Sequence, residues 1–291
     1  MRAFDYVAPP TLGEALTVLK ARGIRARALS GGTDLIVQVR EARRELDLVI
    51  DIKRIPEMTE MRYDPVQGLG LGASVACCRI CEDPLIQKIY PGLVDAASLI
   101  GGVQIQSRAS FGGNLCNSSP AADSIPALIA HRAVCVITEL GGTRKIPVED
   151  FCTGPGKNVL QPEELLVALE VPPPRRHFGA SYLRFIPRNE MDIAVVGCGV
   201  SVELSADLQT FVQARIALGA VAPIPLLVDK AAALLENQTV SEDAIAEAAM
   251  AAQAAARPIT DMRGTAEYRR HLVGVLTRRA LRSAIERAKG D

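Results

Sequence analysis

Three consecutive prolines, Pro172-Pro173-Pro174, constrain this chain more than any other feature. A helix cannot propagate through them, and a central strand cannot carry them, because each removes a backbone N–H and fixes φ. The hydrophobic pattern also changes at this point. Beyond it come three long apolar runs, predicted as strands over Tyr182–Ile186, Ile193–Leu204 and Val212–Gly219. Helical patterns follow over Pro225–Leu235, Ser241–Ala256 and Thr265–Ala288. Strands followed by helices, without alternation, predict a small α+β domain, and a domain boundary is placed at the prolines.

Before the prolines the pattern is finer. Thr11 followed by Glu14 forms a capping box. Leu12, Ala15, Leu16 and Leu19 then share a helix face that Gly23 ends. Strands are predicted over Arg25–Leu29, Leu46–Ile52, Gly68–Ala73, Val134–Thr138 and Leu165–Val171, with helices near Leu85–Tyr90, Gly92–Ile100 and Ile125–Ala130.

Two glycine-rich segments are the chemical candidates. They are Ser30-Gly31-Gly32-Thr33-Asp34 and Phe111-Gly112-Gly113-Asn114, both read as loops. Paired glycines let backbone N–H groups converge on an anion without a Cβ in the way. Two such loops suit a diphosphate better than a single phosphate. Asn114, Ser118 and Ser119 add side-chain donors, and Asp123 precedes a helix start. The same residues also read as plain turns and as a helix N-cap, and spacing alone leaves both readings open.

Other motifs carry less. Gly68-Leu-Gly70-Leu-Gly72-Ala73 fits the loose dinucleotide fingerprint but lacks the later acidic residue and the helix, so it reads as a strand. Cys77, Cys78 and Cys81 lack a fourth metal ligand nearby and read as small core residues. The three histidines read as structural or exposed. The arginines of the last predicted helix, Arg269, Arg270, Arg278, Arg279, Arg282 and Arg287, read as a solvated face opposite an apolar stripe, or else as a docking surface. Lys plus Arg and Asp plus Glu number 33 each, so the excess positive charge of a nucleic-acid binder is missing. No stretch approaches the roughly 18 apolar residues of a membrane span. Seven cysteines, an odd number, suit reduced thiols in a cytoplasmic protein.

The order of these motifs resembles the FAD-binding medium subunit of molybdenum hydroxylases, the carbon monoxide dehydrogenase and xanthine dehydrogenase family. The resemblance rests on Ala28-Leu-Ser-Gly-Gly-Thr-Asp-Leu35, on Ala109 through Asp123, on Pro162-Glu-Glu-Leu-Leu166, and on Arg188 with Met191-Asp-Ile-Ala194. Arg215 through Pro223 and Tyr268-Arg-Arg270 continue it.

The resemblance implies an α+β chain. A vanillyl-alcohol-oxidase-like FAD domain over 1–174, in lobes of about 1–58 and 59–174, would precede a C-terminal domain of three strands and helices over 175–291. It implies non-covalent FAD, with Ala28 and Leu29 among the cofactor contacts and Ser30, Gly31, Gly32, Thr33, Asp34 and Leu35 around the diphosphate. Ser110, Gly112, Gly113, Asn114 and Asn117 would form the second wall, with Asp123 as acidic contact. Ile100, Leu166 and Arg184 would lie near the flavin ring. It implies no catalytic residue and no metal in this chain. A small 2Fe-2S subunit and a large molybdopterin subunit would be partners, in a dimer of heterotrimers. Electrons would go to an external acceptor such as NAD, a quinone or oxygen. One departure is Gln104-Ile105-Gln106, where the family commonly ends on Arg. A stand-alone flavin oxidase or reductase, or a flavin-less scaffold, are the rival readings.

Overall fold

The computed structural model describes residues 2–290. The first lobe is a parallel sheet in the order β1-β3-β2, with β1 at Asp5–Val7, β2 at Ala26–Leu29 and β3 at Leu48–Asp51. All four β3 residues are buried, as a central parallel strand requires. Helix α1 (Leu12–Arg22) joins β1 to β2, and Thr11 caps it by accepting the Glu14 N–H at 3.3 Å, so the capping box forms. Helix α2 (Leu35–Arg40) leaves the turn after β2. Because β2 is an edge strand, its outer side is free to wall a cleft.

The short helix α3 (Pro56–Thr59) leads to the second lobe. Its antiparallel sheet runs β4-β5-β10-β6-β7. These strands are Met61–Asp64, Gly68–Gly72, Leu165–Val171, Val134–Glu139 and Gly142–Pro147 respectively. The Gly-x-Gly-x-Gly segment is thus strand β5. A Cβ on Gly72 would lie 2.5 Å from the Met58 carbonyl carbon, and one on Gly68 would lie 2.1 Å from the Val171 oxygen. Close backbone packing, not phosphate binding, accounts for those two glycines. Between β5 and β6 lie helices α4 (Cys77–Glu82), α5 (Pro84–Ile89), α6 (Pro91–Leu99), α7 (Val103–Gln106), α8 (Phe111–Asn117) and α9 (Ser124–Ala130). The small hairpin of β8 (Cys152–Gly154) and β9 (Lys157–Asn158) precedes β10.

The second glycine-rich segment is not a loop but the first turn of α8. Ser110 caps it, accepting the Gly113 N–H at 3.1 Å. Low helix propensity of glycine suggested a loop. Tertiary contact overrides it, since a Cβ on Gly112 would come within 2.4 Å of the Ala73 oxygen.

After the prolines, three long antiparallel strands follow in order. They are β11 (Phe178–Phe185), β12 (Val196–Leu204) and β13 (Phe211–Gly219). A two-residue strand β14 (Leu226–Leu227) extends the β13 edge, at the start of a segment expected to be all helix. Apolar runs this short do not distinguish strand from helix. Helix α10 is accordingly short (Asp229–Ala233), followed by α11 (Glu242–Ala255) and α12 (Ala266–Lys289). Buried aliphatic residues of β12, β13, α11 and α12 form one core, while both N-terminal lobes share another.

The arginines of α12 are not one solvated face. Arg269 is 3% exposed and donates to the Val195 and Ala220 carbonyls and to Asp261. Arg287 reaches back to Asp95 on α6 and to the Ala180 carbonyl. Arg282 does stay at the surface, paired with Glu242. A helical wheel marks a face but not whether a guanidinium finds a carboxylate on another element beside it.

Candidate functional site

The turn leaving β2 and the start of α8 face each other across the two lobes. In the turn, Gly32 has φ +77°, a conformation L side chains rarely adopt. The N–H groups of Gly31, Gly32, Thr33 and Asp34 meet no protein acceptor among the described residues, and Asp34 makes no capping bond to α2. The Ser30 carbonyl is held by Lys53 Nζ at 3.0 Å, and Lys53 is itself paired with Asp51 at 2.7 Å. Across the gap, Ser110 Oγ lies 2.8 Å from Ser30 Oγ, so the cap of α8 also ties the lobes together.

These segments wall a cleft of about 350 Å³. Of the residues expected from sequence, Ala28, Ser30, Gly31, Gly32, Thr33, Asp34, Leu35, Ile100, Ser110, Gly112, Gly113, Asn114, Asn117 and Leu166 line it. Leu29 does not. Strand alternation turns its side chain away, and it packs beside Val39, Leu46 and Val49. Asp123 and Arg184 do not line the cleft either. The Asp123 carboxylate accepts from the Tyr182 hydroxyl at 2.8 Å and from Arg184 at 2.7 Å. Asp123 stands at the N-terminus of α9 but its side chain makes no capping bond, so the N-cap reading fails. Burial pushes its carboxyl up to about 6, against the opposing pull of Arg184 and Tyr182.

The Asp123 pair still reaches the cleft indirectly. The neighbouring Ser124 donates from Oγ at 2.6 Å and from its backbone N–H at 3.3 Å to Asn114 Oδ1. Sequence reasoning missed the cleft residues Arg27, Gln38, Arg44, Ile52 and Asn158. Gln38 sits one helical turn beyond Asp34, a spacing that could have exposed it once α2 was recognised.

The chemistry of the lining is polarised. Free backbone N–H groups, three asparagines and two arginines gather along the walls, a donor set for a diphosphate. Ile100, Leu165 and Leu166 supply an apolar stretch for a flat ring. FAD carries both features, so the residues present fit it. Among the described residues no group of His, Cys, Asp and Glu is placed to hold an ion. The thiol of Cys81 is pushed up to about 11 and that of buried Cys77 is raised further, mainly by desolvation, which opposes thiolate ligation. His131 is buried and neutral, its pKa lowered to about 4 by desolvation, with Nδ1 2.8 Å from the Ala127 carbonyl. At the departure from the family pattern, Gln106 donates to the Ser98 carbonyl at 2.7 Å and serves local structure.

A donor-lined cleft between a parallel and an antiparallel lobe, followed by a separate sheet-and-helix layer, defines a flavoprotein of the two-lobed type. Residues 2–174 match the family of the FAD binding domain in molybdopterin dehydrogenase, and residues 181–284 match the CO dehydrogenase flavoprotein C-terminal domain. The chain belongs to this family and is an FAD-binding oxidoreductase subunit. It is 31% identical to the carbon monoxide dehydrogenase medium chain of Hydrogenophaga pseudoflava, over 97% of this chain and 96% of that one. It is 30% identical to the xanthine dehydrogenase FAD-binding subunit of Escherichia coli O157:H7, over 98% and 97%. The solved carbon monoxide dehydrogenase from Hydrogenophaga pseudoflava superposes with a TM-score of 0.92 at 32% identity, covering 97% of each chain. The reconstituted CO dehydrogenase from Oligotropha carboxidovorans gives 0.93 at 28% identity, over 98% and 99%.

Proposed function

We propose that this chain is the electron-transfer subunit of a molybdenum-containing hydroxylase or dehydrogenase. It would work with a small 2Fe-2S subunit and a large molybdopterin subunit, in a dimer of heterotrimers. The observation that carries this reading is the wall of unpaired backbone N–H groups formed by the β2–α2 turn, facing the start of α8 across the cleft. In this reading Ser30 through Leu35 hold the diphosphate with backbone N–H groups, opposite Ser110, Gly112, Gly113, Asn114 and Asn117. Ile100 and Leu166 flank the ring. Ser30 and Ser110 hold the walls at a fixed spacing, and Lys53 keeps the Ser30 carbonyl turned away from the anion. Asp123 and Arg184 act through Ser124 rather than by contact. Bound there, FAD supplies one- and two-electron chemistry, the property needed between a one-electron cluster and a two-electron acceptor such as NAD, a quinone or oxygen.

Domain limits of 1–174 and 175–291, meeting at the prolines, belong to the same proposal and are supported by where the two family matches fall. A cytoplasmic location is supported by the seven free cysteines. No described helix is long and apolar enough to cross a membrane.

The test has two parts. The purified chain should be yellow, and acid should release FAD, not FMN, into the supernatant. Organic substrate should then reduce the flavin only when the iron–sulfur and molybdenum subunits are added. Reduction in the isolated chain would instead establish a stand-alone flavoenzyme, and a folded chain that ignores FAD would establish a scaffold.

A further inference from the structure

Asn117 reaches the cleft from the far end of α8, and what fixes its amide lies in the other lobe. Arg44 Nε is 3.1 Å from Gln38 Oε1, and Gln38 Nε2 is 2.9 Å from Asn117 Oδ1. This line has only one possible polarity. A guanidinium N–H can only donate, so the Gln38 atom facing it is the carbonyl oxygen. The Gln38 amide nitrogen must then face Asn117, whose oxygen accepts. The Asn117 NH2 is left without a partner among the described residues, on a side chain that lines the cleft. Asn114 is fixed in the same sense, since the Ser124 backbone N–H facing its Oδ1 can also only donate.

We propose that Gln38, held by Arg44, is a positioning residue that sets the Asn117 amide with its NH2 toward an anionic group of the bound cofactor. The proposal rests on the FAD reading above. It assigns a role to α2 beyond framing the turn. The relay spans both lobes, so cofactor affinity depends on a contact made between them. It also makes the sign of the contact, not its mere presence, the quantity that matters. A glutamate at position 38 has acceptors only. It would still satisfy Arg44, but Asn117 would have to turn its NH2 to the new carboxylate and present an oxygen to the cofactor anion.

The test is FAD binding to the flavin-stripped full chain, followed by quenching of flavin fluorescence, with thermal unfolding of each apo variant as the check on folding. Gln38→Glu should weaken binding roughly tenfold, the scale of one charge-assisted hydrogen bond. Gln38→Ala should cost only about twofold to threefold, because Asn117 can then keep its favourable orientation unaided. Arg44→Met should fall between the two, since Gln38 is then free to flip. The decisive comparison is Gln38→Glu in an Asn117→Ala background, where it should have no further effect. An equal loss in both backgrounds would mean that charge alone acts, and would overturn the relay. So would Gln38→Ala binding as weakly as Gln38→Glu with both apo variants folded. A folded wild-type chain that takes up no FAD would overturn the cofactor reading itself, and the relay with it.

Discussion

Arg184 donates from Nη1 to Asp123 Oδ2 across 2.7 Å, joining β11 of the C-terminal sheet to the start of α9. Both side chains are nearly withdrawn from solvent, at 4% and 11% exposure. Ser124, the next residue, orients Asn114 in the cleft. The pair thus couples the C-terminal sheet to one wall of the cofactor site without either partner lining it. A buried pair of this kind costs desolvation, and removing one partner leaves the other uncompensated.

That pair predicts a pH dependence. Burial raises the folded-state carboxyl of Asp123 to about 6, above its unfolded value. Between those two values the folded state binds the extra proton. Its contribution to stability is therefore fully present below the unfolded value and is lost as pH rises through about 6. Asp123→Asn cannot titrate. The stability of wild type relative to this variant should increase by roughly 1–3 kcal/mol as pH falls from neutrality to about 4. Parallel urea unfolding curves at several pH values measure this. A constant difference across that range would mean that Arg184 and Tyr182 fully offset burial.

Gly113→Val should abolish FAD retention while Gly70→Ala preserves it. A Cβ at Gly113 already lies 3.0 Å from Ser110 Oγ and 3.8 Å from Ser30, so the branches of valine must break into the Ser30–Ser110 bridge. At Gly70 the nearest atom is 3.8 Å from a Cβ, which is ordinary contact. Flavin content per folded chain, read from the absorbance ratio, separates the two. Equal losses would place the site elsewhere.

The contrast between those two glycines also marks what the sequence could disclose. The capping box at Thr11, the strand β10 and the strand character of Gly68–Gly72 follow local rules, so they were legible. Both walls of the cleft were legible as glycine pairs beside polar residues. That the second pair starts a helix was not, because the reason is Ala73, in the turn after β5, pressed against Gly112. The placement of Asp123 was hidden for the same reason. Its partners Tyr182 and Arg184 lie beyond the prolines, and no local pattern links them to α9. Gln38 and Arg44 belong to no sequence motif, and their link to Asn117 arises only where the lobes meet.

Ser110→Ala should act on stability and affinity together. The hydroxyl accepts the Gly113 N–H and bonds Ser30, so its loss removes a helix cap and an interlobe bridge. A cap of this kind contributes about 1 kcal/mol. Apo-protein unfolding should register that loss, and FAD binding should weaken beyond it, because Ser30 is released as well. Ser110→Thr keeps the hydroxyl and should recover most of the stability. A variant with weakened apo stability but unchanged FAD affinity would confine Ser110 to the cap.

Gly31→Ala should be more damaging than its size suggests. Gly31 has no positive φ, so the argument is one of space alone. A Cβ there would lie 2.1 Å from the Arg108 carbonyl oxygen and 2.6 Å from its carbonyl carbon. That oxygen is main chain, just ahead of the Ser110 cap, and cannot rotate away as a side chain would. Relief therefore requires the turn after β2 to move from the start of α8, opening the cleft between the lobes. Overpacking of this kind costs about 1–3 kcal/mol. We expect the apo chain to remain folded and to lose FAD affinity by at least tenfold, since both walls must be in place to hold a diphosphate. Circular dichroism and flavin titration of the same sample provide the check. Unimpaired FAD binding would show that the two walls need not approach this closely, and that the donor set of one segment is sufficient.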